Sequence, residues 1–118
     1  MSKDKSTVIH IKSNHQFRDL VEDSFRIPLI IDYYATWCGP CKKISPVFDN
    51  LSYNYGDHED GSRLIKFARI NVDKFEKISV DQDISSMPTF IIYKYGVQVE
   101  RSEGASKTRL AKLILHHV

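Results

Sequence analysis

The spacing of apolar positions along this chain switches repeatedly between the period of a strand and that of a helix. Residues 7–11 alternate weakly and predict a first strand. Ser13 with Gln16 three residues later forms a capping-box signature, and Phe17, Leu20, Val21 and Phe25 then recur at helical spacing. Pro28 opens a nearly unbroken apolar run over 29–35, which predicts a strand buried on both faces at the centre of an α/β sheet. A second helix follows, with Ile44, Val47, Phe48, Leu51 and Tyr55 in one stripe and Pro46 inside it, where a bend is expected. The polar stretch 56–62, bounded by Gly56 and Gly61, reads as a loop.

The pattern then repeats. Residues 64–72 predict a third strand, and Asp73 with Glu76 offers a capping pair for a short helix carrying Phe75 and Ile78. Residues 89–93 predict a fourth strand. Gly96 turns the chain into the period-two alternation of 97–100, which suits a solvated edge strand in a hairpin, and Ser106 caps a last helix with Leu110, Leu113 and Ile114 inward. The order βαβαβαββα implies right-handed parallel crossovers finished by an antiparallel hairpin, in a single domain over 1–118.

Composition narrows the class. At 118 residues, 42% hydrophobic and 27% charged, the chain is sized for one core. A net charge of +2 with scattered basic residues gives no nucleic-acid footprint and no membrane-binding face. No apolar run reaches the roughly 18 residues of a membrane span, and no secretory signal is visible. Two cysteines do not make a disulfide scaffold, so a reducing, cytoplasmic setting is expected.

Those two cysteines lie together in Trp37-Cys38-Gly39-Pro40-Cys41, directly after the buried strand. Pro40 is pre-set for a first helical turn, so a helix is expected to start here with Cys38 at its positive end, where free N–H groups and the macrodipole favour a thiolate. The thiolate is the attacking species in disulfide exchange, whereas a free cysteine with a pKa of about 8.5 supplies little of it. Cys41, one turn on, can attack any mixed disulfide that Cys38 forms. Other uses of the pair are a structural disulfide, which over so short a loop restricts the unfolded chain little, and a zinc site. Zinc needs two further ligands, and His10, His15, His58, His116 and His117 show no ligand spacing, so no metal is expected. His116 and His117 read as solvated tail residues.

Asp32 falls in the middle of the buried run. An unpaired carboxylate there is costly, so its pKa is expected to rise, and near neutrality it can take the proton from Cys41. The alternative is a structural ion pair with Arg69 or a lysine.

Residues 32–42, Asp-Tyr-Tyr-Ala-Thr-Trp-Cys-Gly-Pro-Cys-Lys, resemble the active-site segment of the thioredoxin family, and Met87-Pro88-Thr89 resembles its second signature. The likeness extends through element order, length, Gly96 and Gly104 to nearly the whole chain. It implies a thioredoxin fold, with a central five-stranded mixed sheet flanked by helices on both faces. It implies a protein-disulfide reductase, a monomer with no bound cofactor beyond a redox-active Cys38–Cys41 disulfide. Electrons would come from NADPH through a separate flavoprotein, thioredoxin reductase, and pass to disulfide-containing proteins such as peroxiredoxins or reductases. The resemblance also implies a cis Met87–Pro88 bond facing the dithiol, redox tuning by Gly39 and Pro40, and a substrate-contact surface of Trp37, Met87, Pro88 and Gly104. Lys42 and Lys43 read as a solvated helix face or as electrostatic help to the thiolate.

Three positions depart from the family pattern. Tyr34 stands where tryptophan is common. Arg69 stands where a lysine often lies near the buried acid, and an arginine there would hold Asp32 ionised more firmly. The 56–62 loop is several residues longer than usual, as a surface insertion or a partner contact. Two other functions stay open: a binding subunit that uses the same face without redox turnover, and an oxidase or isomerase of the secretory path, against which the Gly-Pro dipeptide argues.

Overall fold

Alternate side chains of the central strand go to opposite faces of the sheet, and both faces are covered. The computed structural model describes residues 7–56 and 62–118. The elements are β1 (Ile9–His10), α1 (Asn14–Glu22), β2 (Leu29–Tyr34), α2 (Gly39–Tyr55), β3 (Lys66–Asn71), α3 (Glu76–Asp81), β4 (Thr89–Lys94), β5 (Val97–Glu103) and α4 (Lys107–Leu115). The five strands form one sheet in the order β1-β3-β2-β4-β5, parallel across β1, β3 and β2 and antiparallel from β2 through β4 to β5. This is the thioredoxin fold expected from the sequence.

On one face Leu29, Ile31, Tyr33 and Ala35 pack with Phe17 and Leu20 of α1 and Ile78 of α3. On the other, Ile30 joins Phe67, Phe90 and Ile92 beneath Ile44 and Phe48 of α2 and Leu110, Leu113 and Ile114 of α4. Phe48 meets Phe67 edge-on at 5.2 Å between ring centroids, which adds quadrupole attraction to the burial of both rings. β2 therefore has no solvated side, which is why its sequence shows no alternation.

Caps decide several boundaries. Ser13 Oγ accepts the Gln16 N–H at 3.0 Å, while Gln16 Oε1 accepts the Lys12 N–H at 2.6 Å, so the reciprocal bond falls one residue earlier than in the usual box. Ser106 Oγ likewise accepts the Arg109 N–H at 3.1 Å. Tyr95 and Gly96 both take positive φ, the backbone of a two-residue primed turn whose twist matches the β4–β5 hairpin.

Four local expectations are corrected. β1 is only two residues long, although the Ile11 N–H still reaches the Arg69 carbonyl at 3.0 Å. Phe25 is not on the inward stripe of α1: the chain tightens into a 3-10 turn over Asp23–Phe25, which leaves Phe25 63% exposed, edge-on to Tyr95. Asp73 does not cap α3, whose N-cap is Phe75 without a side-chain bond. His116 and His117 are not a free tail, since both reach Glu100 of β5, His117 Nε2 at 2.7 Å and His116 Nδ1 at 3.3 Å. Pro46 lies within α2, which runs on to Tyr55. Most of the expected 56–62 loop, residues 57–61, lies outside the described residues.

Candidate active site

β2 ends at Tyr34, and the next four residues turn tightly, with the Cys38 N–H donating to the Ala35 carbonyl at 3.2 Å. Cys38 is extended and forms the N-cap of α2, Gly39 and Pro40 start the helix, and the Cys38 Sγ accepts the Cys41 N–H at 3.1 Å. The sulfur thus occupies the place of a capping oxygen, at the end where the helix carries unpaired N–H groups and positive partial charge. Cys38 and Cys41 are joined in a disulfide. Each retains 5% of its surface, so exposure does not separate their roles.

A rim surrounds the disulfide. The Met87–Pro88 bond is cis, and the Met87 carbonyl oxygen lies 3.7 Å from the Cys38 Sγ. The Gly104 N–H donates to the Pro88 carbonyl at 2.9 Å, which ties the end of β5 to the same loop. Gly104 has φ +91, a left-handed backbone that favours glycine, while a Cβ there would stand 3.1 Å from the mobile end of the Arg109 side chain, which can give way. Trp37 is 67% exposed and donates its indole N–H to Asp73 Oδ2 at 2.9 Å, while the Asp73 N–H is held by Asn71 Oδ1 at 2.9 Å. Asp73, read from the sequence as a cap, instead anchors the indole. A side chain on Gly39 would meet nothing within 4 Å, so its bareness is open surface beside the sulfurs rather than a packing need.

Behind the disulfide lies a cavity of about 300 Å³ lined by His10, Asp32, Tyr34, Ala35, Thr36, Cys41, Lys42, Ser45 and Arg69. Cys41 reaches it and Cys38 does not. Asp32 is 2% exposed, and burial pushes its carboxyl up to about 7, against the pull of Arg69 and with a push from Asp49. Arg69 does approach Asp32, but its Nε stands 3.7 Å from Oδ2, beyond hydrogen-bond distance, and its Nη1 goes to Asp49 Oδ1 at 3.1 Å. The firm hold on an ionised Asp32 expected of an arginine is therefore not what results. Asp32 Oδ1 and Arg69 Nη2 are buried and have no hydrogen-bond partner among the described residues. A wider groove of about 720 Å³ opens at the other end of the sheet, lined by Asp19, Asp23, Phe25 and Lys66 among others, and holds neither cysteine.

The sequence profile of the thioredoxin family matches residues 8–116. The chain belongs to the thioredoxin family. A thioredoxin of Coprinus comatus is 43% identical over 86 residues, which cover 73% of this chain and 76% of that one. Among solved structures, a thioredoxin of Nicotiana alata is 34% identical and superposes with a TM-score of 0.84 over 99% of this chain and 97% of its own. A chain solved in work on the thiol-resolving mechanism of yeast mitochondrial 1-Cys peroxiredoxin, via glutathione and thioredoxin systems, is 31% identical, with a TM-score of 0.80 over 95% and 99%. Thioredoxin membership and the adjacent cysteine pair make the protein a thiol-disulfide oxidoreductase that reduces protein disulfides. Among the described residues no group of three or more His, Cys, Asp or Glu is arranged to hold a metal ion, and no helix is long and apolar enough to cross a membrane.

The structure sets Met87 against the Cys38 sulfur, ties Gly104 to Pro88, and puts Asp32 and Cys41 on one cavity, while Trp37, Gly39 and Pro40 adjoin the cysteines along the chain. It adds Asp73, Asp49 and His10, which sequence reasoning did not place at the site. The clue to His10 is strand register, which a single sequence does not display.

Proposed function

We propose that disulfide reduction proceeds in two displacements with distinct roles for the two cysteines. The Cys38 thiolate attacks one sulfur of a substrate disulfide; a Cys38–substrate bond forms, and the other substrate sulfur leaves as a thiolate that takes a proton from water. Cys41 then gives its proton to the Asp32 carboxylate and attacks the Cys38 sulfur. The Cys38–Cys41 bond forms and the remaining substrate sulfur leaves, so the substrate gains two electrons and the dithiol loses them. One observation carries this assignment: the Cys38 sulfur is the N-cap of α2 and accepts the Cys41 N–H, the place where a thiolate is favoured, whereas Cys41 shares a cavity with Asp32, whose carboxyl is pushed up to about 7 by burial.

Trp37, Met87, Pro88 and Gly104 form the contact surface in this reading. An extended substrate strand lies across the bare Gly39 and bonds to backbone beside the cis-proline loop. Gly39 and Pro40 tune the potential through the turn, and Lys42 and Lys43 add modestly to the field at the thiolate. Electrons return from NADPH through a separate flavoprotein, thioredoxin reductase. The targets are disulfide-bearing proteins, peroxiredoxins among them, as suggested by the peroxiredoxin system from which one structural neighbour comes. The working form is a monomer in the cytoplasm, where such electrons are supplied. Insulin-disulfide reduction driven by NADPH and a thioredoxin reductase tests this: the parent is expected to turn over and Cys38→Ser to be inactive. Turnover by Cys38→Ser at the parental rate overturns the assignment.

A further inference from the structure

Asp32 is almost wholly enclosed, yet a base that takes a proton in each cycle must exchange it with solvent. We propose that His10 is the relay through which that proton passes, the outer member of a row of side chains crossing β1, β3 and β2. The proposal rests on the reading of Asp32 as the base for Cys41.

Three observations support it. His10 is the register partner of Arg69, and Arg69 is the register partner of Asp32, both in parallel pairing, so the three side chains project from one face of the sheet. With strands about 4.8 Å apart, the Cα atoms of His10 and Asp32 are roughly 10 Å apart, a gap that two side chains and one or two waters can span. The same cavity touches both residues; most of its wall is apolar, but Thr36, Ser45, Tyr34 and Lys42 are among the residues that line it, with Asp32 Oδ1 and Arg69 Nη2, which have no hydrogen-bond partner among the described residues, at the sheet. A water there has the unsatisfied Asp32 Oδ1 and Arg69 Nη2 as candidate partners. Finally, His10 is exposed while Asp32 is buried, so the row runs from inside to outside.

The surrounding charges suit a carrier. Around His10 stand Arg69 from β3, Asp49 from α2 and Lys12 on its own segment, while Asp32 of β2 and Lys42 of α2 line the shared cavity. Partial burial and Arg69 lower the imidazole pKa below its usual 6.5, Asp49 opposing and Lys12 adding to them. The lowering favours the neutral ring, the form that can accept a proton. The proton it accepts goes on to water or buffer, and the ring returns to neutral with no net change in the chain. Arg69 keeps its charge throughout and orders the space between the two ends.

The test uses the disulfide form, in which neither cysteine titrates, with the Asp32 carboxyl carbon followed by NMR near pH 7 in dilute buffer. In the parent, exchange between the protonated and ionised forms is expected to be fast. His10→Gln keeps a polar side chain at an exposed position and is expected to slow the exchange about tenfold or more, with added imidazole restoring it. Exchange in His10→Gln at the parental rate overturns the proposal, as does a slowed rate that imidazole leaves slow. Resolution of a preformed Cys38 mixed disulfide, measured in parallel, keeps the two readings apart. If exchange slows and recovers while resolution is unaffected, the relay stands and the role of Asp32 as base for Cys41 falls.

Discussion

Arg69 lies beside Asp32 without closing on it. The 3.7 Å between Nε and Oδ2 contrasts with 3.1 Å from Nη1 to Asp49, and the guanidinium carbon sits 5.4 Å from the centroid of the Phe48 ring. Asp49 and Phe48 thus hold the arginine where it tempers the charge on Asp32 without fixing it. Desolvation decides the outcome, and the carboxyl is left half ionised near neutrality.

Removing that tempering charge should push the acid further up. Arg69→Met is expected to raise the Asp32 midpoint from about 7 by about one unit or more and to slow release of substrate at neutral pH. Carboxyl titration by NMR checks it; an unmoved midpoint contradicts the role given to Arg69.

Burial of Asp32 should also cost stability in a defined pH window. The carboxyl titrates near 3.8 in the unfolded chain and near 7 in the folded one, so between these values the native state binds more protons and stability falls as pH rises. At about 1.4 kcal/mol per unit the full effect is roughly 4 kcal/mol above pH 7. Asp32→Asn is therefore expected to be more stable than the parent at pH 8 by a few kcal/mol and to show no such gain below about pH 4. Denaturant midpoints at the two pH values measure it, and a gain of equal size at both would contradict the assignment. The same variant should slow the second displacement more than the first.

Covalent trapping separates the cysteines. Cys41→Ser should accumulate a stable mixed disulfide through Cys38, whereas Cys38→Ser should accumulate none. Non-reducing electrophoresis with mass spectrometry of the linked peptides reads the result; adducts through Cys41 would reverse the roles.

The buried tyrosine pair predicts an asymmetry. The Tyr33 and Tyr93 hydroxyls are 2.5 Å apart, and the Tyr93 hydroxyl donates to Gln82 Oε1 at 2.8 Å, so Tyr93 is the middle of the chain. Tyr33→Phe leaves Tyr93 bonded and should cost about 1 kcal/mol, while Tyr93→Phe strands the Tyr33 hydroxyl and should cost about 1–3 kcal/mol. Urea unfolding of the two variants decides, and equal costs would refute the ordering.

What could be read from the sequence follows from what is local. The apolar run of β2, the caps Ser13 and Ser106, the turn at Gly96 and the Cys-Gly-Pro-Cys helix start are each encoded within a few residues, and each stands where the pattern put it. Interactions between distant segments were not legible. Asp73 has the spacing of a cap, but the indole of Trp37 claims its carboxylate across 36 residues. Phe25 fits a helical stripe until the chain changes to a 3-10 turn, and His117 looks like a tail until the end of α4 comes back against β5 and meets Glu100. Arg69 could be suspected from the family pattern, but that Asp49 would draw its guanidinium off Asp32 depends on how α2 lies over β3.

The whole account depends on the helix cap lowering the pKa of the first cysteine. The direct measurement is the pH dependence of alkylation at Cys38 in the reduced protein, resolved from Cys41 by peptide mass spectrometry. The account predicts a midpoint well below the roughly 8.5 of a free cysteine, and a Cys38 that reacts along the free-cysteine curve would contradict it.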